Sequence, residues 1–335
     1  MQLDEFVSTI EKDAPPGQAL EWDRSGMQVA TSRSHIQTVG MCLDPLPENI
    51  NLALEKKCDF ILCHHPLSIK PRLPDKIDTF HNVLRLLFQA DTALYSAHTS
   101  LDVNSCGPVS WLLREMGLEN PRIIMPTGRV HLERLRFDPP VELSGKEKTL
   151  LTNVEQIEEE KGYISRVLLR SELADRFLEI LESDSEPVHC QRRYCTGDDI
   201  VFGLGLLGSW GEKISFSSFV DMLQEILGME NFVCIGQRPE YVQKVAYCPG
   251  SGGDLASRAF DMGADVFLTG DIKYHQALDI HGSGFALDVG HFILEEKMMH
   301  SWYQALRRTI PGVDFHYIKG TTPLNISGVQ ALKSV

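Results

Sequence analysis

No stretch of the chain approaches the roughly 18 consecutive apolar residues that a membrane-crossing helix needs. The start, Met1-Gln2-Leu3-Asp4-Glu5, has neither a basic region nor an apolar signal core, so a cytoplasmic protein is expected. Dense cysteine spacing is also missing. The eight Cys form no CxxC pair and are expected to be reduced thiols in the core. Positive charge is scarce: 32 Lys and Arg stand against 46 Asp and Glu, a net charge of −14. That balance speaks against a nucleic-acid scaffold and suits carboxylates that partly face cations. No short-period repeat is visible.

What is present is enough for packed cores: 43% of the 335 residues are hydrophobic, a length suited to two or three domains. Leu3 to Lys12 has helical apolar spacing. Thr38 to Asp44, Asp59 to Cys63 and Thr92 to Ala97 read as buried strands, with helices over Pro47 to Lys57 and Thr79 to Ala90 between them. Val109 to Met116 reads as a helix closed by Gly117. This alternation predicts an α/β layer with a largely parallel sheet. The character changes near Arg129. Arg136-Phe137-Asp138-Pro139-Pro140 reads as a break, Glu155 to Lys161 as a charged run, and Tyr163 to Cys195 as a strand–helix–strand unit whose last strand starts at Val188. A second α/β stretch follows, with strands Gln243 to Tyr247, Ala264 to Thr269, Phe285 to Val289 and Val313 to Tyr317, and a long helix from Ile293 to Arg307. The expected organisation is an N-terminal lobe over 1–128, a small inserted α+β domain over 129–198, and a C-terminal lobe over 199–335.

Chemistry-bearing side chains gather at the ends of these strands, where α/β proteins place their sites. Cys63-His64-His65-Pro66 closes the first such strand, His98-Thr99-Ser100-Leu101-Asp102 the next, and His291 opens the long helix. His291 and Glu295 are four apart, so both tips lie on one helix face and reach one ion. His64 and His65 are adjacent, and adjacent side chains of an extended chain diverge. They therefore serve two different ions, with a carboxylate shared between them. Asp102 and Glu295 supply carboxylates, and Glu295 is the candidate bridge. Imidazole with carboxylate suits Zn, Fe, Mn, Co or Ni more than Ca or Mg.

Further candidates are weaker. Cys63 alternates away from the His pair. Gly250-Ser251-Gly252-Gly253 reads as a tight turn more than a phosphate loop, and Lys273 with Tyr274 as loop residues or contacts to an anion. His281, His300 and His316 are set aside. Trp22 and Asp23 are expected to shape a cleft.

The motifs together resemble the GTP cyclohydrolase I type 2 homologue family, also called Nif-three-like. The matching stretches are Trp22-Asp23-x-Ser25-Gly26-x-Gln28, His64-His65-Pro66-Leu67, His98-Thr99-x-Leu101-Asp102, Gly250-Ser251-Gly252, Thr269-Gly270-Asp271-Ile272-Lys273-Tyr274-His275 and Asp288-x-Gly290-His291-x-x-x-Glu295. The resemblance implies a two-lobed α/β fold with a dinuclear centre in the cleft. His64, Asp102 and Glu295 would hold one divalent ion; His65 and His291 would hold the second, with Glu295 shared. His98 and His275 would orient ligands or move protons. It further implies a homohexamer, a nucleotide substrate such as GTP, and a reduced PII- or CutA-like middle insertion. The chain departs from the family pattern at Arg24 and Leu206, where an Asn and an Arg are usual, which touches substrate contacts more than the metal set. The competing reading is a non-catalytic metal carrier or regulatory hexamer built on the same five ligands. Less favoured still is a nucleotide-responsive scaffold acting through the middle domain.

Overall fold

A computed structural model describes residues 1–142, 154–184, 189–195, 199–229 and 231–324. Val188, the expected start of a strand, lies outside them. The chain forms two compact units, one of Met1–Met125 with Gly203–Val335 and one of Pro126–Phe202.

The first unit holds two sheets of mixed α/β type. In one, β2 (Thr38–Cys42), β3 (Phe60–Cys63) and β4 (Ala93–Ser96) run parallel, with β1 (Gly26–Val29) antiparallel at one edge. β3 and β4 are buried along their whole length, and β2 nearly so. Their unbroken apolar runs are therefore sheet interiors covered on both faces. The other edge of this sheet is β15 (Asp314–Tyr317), which pairs with β2 in parallel although nearly the whole chain separates them.

The other sheet is ordered β11 (Val233–Gly236), β14 (Phe285–Asp288), β13 (Val266–Gly270), β12 (Tyr241–Ser251), β10 (Ile200–Ser215) and β5 (Glu119–Val130). Strands β12, β13 and β14 are parallel, whereas β10 and β11 pair antiparallel. The Gly203 to Gly208 segment lies within β10.

Helices in this unit are α1 (Leu3–Asp13), α2 (Pro47–Glu55), α3 (Thr79–Ala90), the short α4 (Thr99–Asp102) and α5 (Trp111–Glu115). The Asp78 carboxylate caps α3 by accepting the His81 amide at 3.0 Å, and Pro47 sits in the first turn of α2, where its missing N–H costs nothing. One core cluster spans both sheets, joining Phe6, Phe60 and Tyr95 to Val245, Leu268 and Trp302.

The second unit has α6 (Ser171–Asp184) against one face of an antiparallel sheet, ordered β7 (Val154–Glu160), β8 (Tyr163–Arg170), β6 (Leu132–Glu142) and β9 (Cys190–Tyr194). Leu135, Phe137, Val167 and Leu169 pack on Phe177 and Leu181 of the helix. Two readings are corrected here. Pro139 and Pro140 do not break the chain, because the β6–β8 register slips between Arg136 and Val141 and leaves them outside the ladder. The Glu-rich run is edge strand β7, whose exposed side chains need no apolar alternation.

The first unit is completed by α7 (Phe216–Leu227), α8 (Ala256–Asp261), α9 (Tyr274–Ser283) and α10 (His291–Thr309). Among the described residues no helix is long and apolar enough to cross a membrane.

Candidate metal centre

β3 ends at Cys63, and the backbone then turns. The His65 amide bonds the Leu43 carbonyl at 3.0 Å, and Ser96 Oγ donates to the His64 carbonyl at 2.7 Å. These bonds fix two consecutive histidines just past the sheet edge. β4 ends beside them and delivers His98, with Asp102 one turn later on α4.

The other sheet contributes through α10. Gly290, at φ +85°, turns the chain from β14 into this helix, so that His291 and Glu295 lie one turn apart. Two glycines allow the approach. A Cβ on Gly250 would stand 2.5 Å from Glu295 Oε1, and one on Gly270 would stand 2.3 Å from the His291 amide nitrogen. Both distances are shorter than any real contact, so only glycine lets the backbone pass so near.

Glu295 is at the middle of the group. Its Oε2 lies 3.1 Å from His65 Nε2 and 2.9 Å from His291 Nε2, while Oε1 lies 3.6 Å from His64 Nε2. Asp102 Oδ1 is 3.8 Å from His64 Nε2. The His64 and His65 rings are 5.1 Å apart, and His98 sits 5.2 and 5.6 Å from them. Thus three of the expected ligands face Glu295, Asp102 stands beside one of them, and His98 lies against His64 and His65. His275 is exposed on the first turn of α9 with its ring against Tyr274.

Every imidazole in the group is anchored from behind. His64 Nδ1 lies 2.8 Å from the Ala97 carbonyl, and His65 Nδ1 2.7 Å from Asp44. His98 Nδ1 lies 2.7 Å from Asp23, and His291 Nδ1 2.8 Å from Asp271. A carbonyl or carboxylate only accepts, so each Nδ1 carries the proton and each Nε2 faces inward. Metal-binding histidines are held in this way.

His64 Nε2 and Asp102 Oδ1 are both buried with no hydrogen-bond partner. Native interiors rarely leave two such atoms facing one another unsatisfied. A cation between them and Glu295 would satisfy both, so the residues fit a metal. Two overlapping groups have donor atoms within 4.8 Å of one another: His65 with His291 and Glu295, and His64 with His65 and His98.

Sequence reading passed over the anchors Asp44 and Asp271, and it gave Asp23 to cleft shape. Asp23 accepts from the Arg24 amide, Ser25 Oγ, His98 Nδ1, and the Thr99 amide and hydroxyl. Burial opposes its charge, but these bonds, His98's first, hold its carboxyl far below the usual range. Asp271 adopts φ +55°, uncommon for a residue with a Cβ. The available signal was the same for all three: an Asp within a few residues of a strand end.

A family description for Duf34/NIF3 (NGG1p interacting factor 3) matches residues 1–323. The chain belongs to the Duf34/NIF3 family. Among curated relatives, a GTP cyclohydrolase 1 type 2 homolog of Listeria innocua is 27% identical over 343 residues, covering 89% of this chain and 90% of the relative. One from Staphylococcus epidermidis is 26% identical over 327 residues, covering 87% and 89%. Among solved structures, a Bacillus cereus protein related to NIF3 superposes with a TM-score of 0.80 at 22% identity, covering 98% and 99%. Reduced HcgD from Methanocaldococcus jannaschii gives 0.64 at 21%, covering 96% and 98%. The mixed α/β fold with its several sheets is thus the NIF3 fold.

The electrostatics of this NIF3 centre predict how it takes up metal. Burial disfavours a charged His65, but Asp44 and Glu295 outweigh it and raise the imidazole to about 10. Glu295 and Asp271 raise His291 to about 9 against burial. Burial lifts Asp102 to about 7. At neutral pH the metal-free chain therefore holds protons on nitrogens that an ion needs free. Each proton released makes affinity rise about tenfold per pH unit below the group's pKa. Chelator competition from pH 6.5 to 9 should show affinity climbing throughout; a flat profile would refute the protonation pattern.

Proposed function

We propose that the chain is a dinuclear metal-dependent hydrolase acting on GTP or a related nucleotide. In this reading His64, Asp102 and Glu295 hold one ion, and His65 and His291 hold the other with Glu295 shared. The observation that carries it is Glu295, whose two oxygens face different imidazoles inside a ring of anchored histidines. Paired divalent ions of this kind lower the pKa of water to about 7 and stabilise developing negative charge. Zn, Fe, Mn, Co and Ni all suit the donor set.

The chain's own residues supply the rest. His98, held by Asp23 with Nε2 free, accepts and returns a proton at that nitrogen. Thr99 and Ser25 keep Asp23 from rotating away. Trp22 packs its ring edge against His98 at 5.8 Å and is half exposed, which offers a planar substrate a surface. The reading takes the substrate class from the curated relatives' names; the two-lobed arrangement, the reduced PII- or CutA-like middle unit and the ring-like homohexamer rest on the resemblance of the sequence motifs.

The test is formate release. Protein carrying two ions per chain is incubated with GTP, and formate is measured against His98→Ala. Turnover that falls about 100-fold or more in the variant supports hydrolytic ring opening with His98 as the proton carrier. No turnover by fully loaded wild type refutes the enzyme reading and leaves a metal carrier.

A further inference from the structure

The middle sheet packs one face on α6. Leu135, Phe137, Val167 and Leu169 point toward α6, so the alternating residues Arg134 and Arg136 point the other way. On β9, Arg192 reaches Glu133 and Asp175 on the helix side, which sends Arg193 to the open face. The register then aligns two cross-strand rows. One is Gln156, Leu168, Arg134 and Arg193; the other is Glu158, Arg166, Arg136 and Gln191.

Arg134 therefore lies directly opposite Arg193, and Arg136 directly opposite Arg166. Like charges in such positions repel, and sheets disfavour them. Only Arg166 has a counter-charge, Glu158 at 3.1 Å. Arg134, Arg136 and Arg193 are exposed and make no ion pair among the described residues. Three of this unit's acids serve other arginines: Glu133 and Asp175 pair with Arg192, and Glu155 with Arg170. In a chain with a net charge of −14, four arginines concentrated on one open face call for an external anion.

The rows limit what that anion is. Residues two apart along a strand are about 7 Å apart, and opposed residues about 5 Å, so the patch is small. Guanidinium forks match phosphate oxygens two at a time. Neither row contains an aromatic ring on which bases could stack, and the acidic chain repels an extended polyanion. We propose that this face binds a compact polyphosphate, a small molecule carrying two or more linked phosphates, through Arg134, Arg136, Arg166 and Arg193. None of these arginines belongs to the candidate metal set, and the proposal is independent of the reaction proposed there.

Calorimetry on the full, metal-loaded chain with tripolyphosphate at about 0.15 M salt tests this. One molecule should bind per chain. Combining Arg134→Gln with Arg193→Gln should weaken binding roughly tenfold or more, and Arg85→Gln on the exposed side of α3 should leave it unchanged. The double variant should keep or raise its Tm, because removing the opposed charges relieves repulsion; this separates loss of the site from loss of the fold. Three results would overturn the proposal. Orthophosphate binding as tightly as tripolyphosphate would show a single-anion contact. A single-stranded oligonucleotide of about 20 residues binding more tightly would indicate nucleic acid. Tripolyphosphate binding that survives in the double variant, yet vanishes when the metals are stripped, would place the anion at the metal centre.

Discussion

On the proposed dinuclear reading, Glu295→Gln should lose both ions. The side chain is 3% exposed, and its two oxygens are divided between His64 on one side and His65 with His291 on the other. Burial works against its charge, but His64 and the neighbouring imidazoles hold the carboxyl well below the usual range, so it is an anion at any working pH. The amide keeps the shape and removes the charge that two cations would share. A ligand anchored from behind typically costs 10–100-fold in metal affinity when the anchor alone is removed. Replacing the shared ligand itself should exceed about 100-fold for each ion. Asp44→Asn is the contrast, since it touches only His65 Nδ1 and should weaken one ion by about 10–100-fold. Elemental analysis with chelator competition reads both. If Glu295→Gln releases one ion and keeps the other, the carboxylate does not bridge.

Trp302→Ala has the largest expected effect on stability, about 3–5 kcal/mol. Trp302 lies two turns beyond Glu295 on α10 and is 1% exposed. Its Nε1 donates to Asp13 Oδ2 at 2.7 Å, tying the last long helix to the first. Truncation opens a cavity and also strips a half-buried carboxyl of its donor. Burial already pushes Asp13 upward despite that bond, so its loss adds to the penalty. Urea titration, following the first transition of the metal-free chain, measures the shift. A change under about 1 kcal/mol would mean that neighbouring side chains refill the space.

The strand ends and their histidines were legible because each rests on a local rule. Buried parallel strands read as unbroken apolar runs, and polar side chains directly after them have no reason to be apolar. His64 and His65 were expected to diverge, but the chain bends there, leaving their rings 5.1 Å apart and their donor atoms, with those of His98, within 4.8 Å of one another; each still has a neighbour of its own, Asp102 for one and His291 for the other. The anchors were not legible, because Asp44 and Asp271 become special only when a strand end from elsewhere brings a ring nitrogen to them. His275, also in a motif stretch, is exposed on the first turn of α9. The run through Pro139 and Pro140 misled because a register slip lets a strand carry residues that its ladder does not bond.

The pairing of β15 with β2 bears on synthesis. Residues of β1 to β4 are made well before Asp314–Tyr317, so the β2 edge of their sheet has no partner strand until β15 is made. At about 5–20 residues per second that interval is on the order of tens of seconds. Through it β2 presents unpaired backbone groups to any other strand nearby. His291 and Glu295 also come late, so the histidines at the end of β3 wait for these partners almost as long. A nascent chain stalled before α10 would therefore be both edge-exposed and unable to assemble its full donor set, two handles by which quality control can distinguish it from the finished protein.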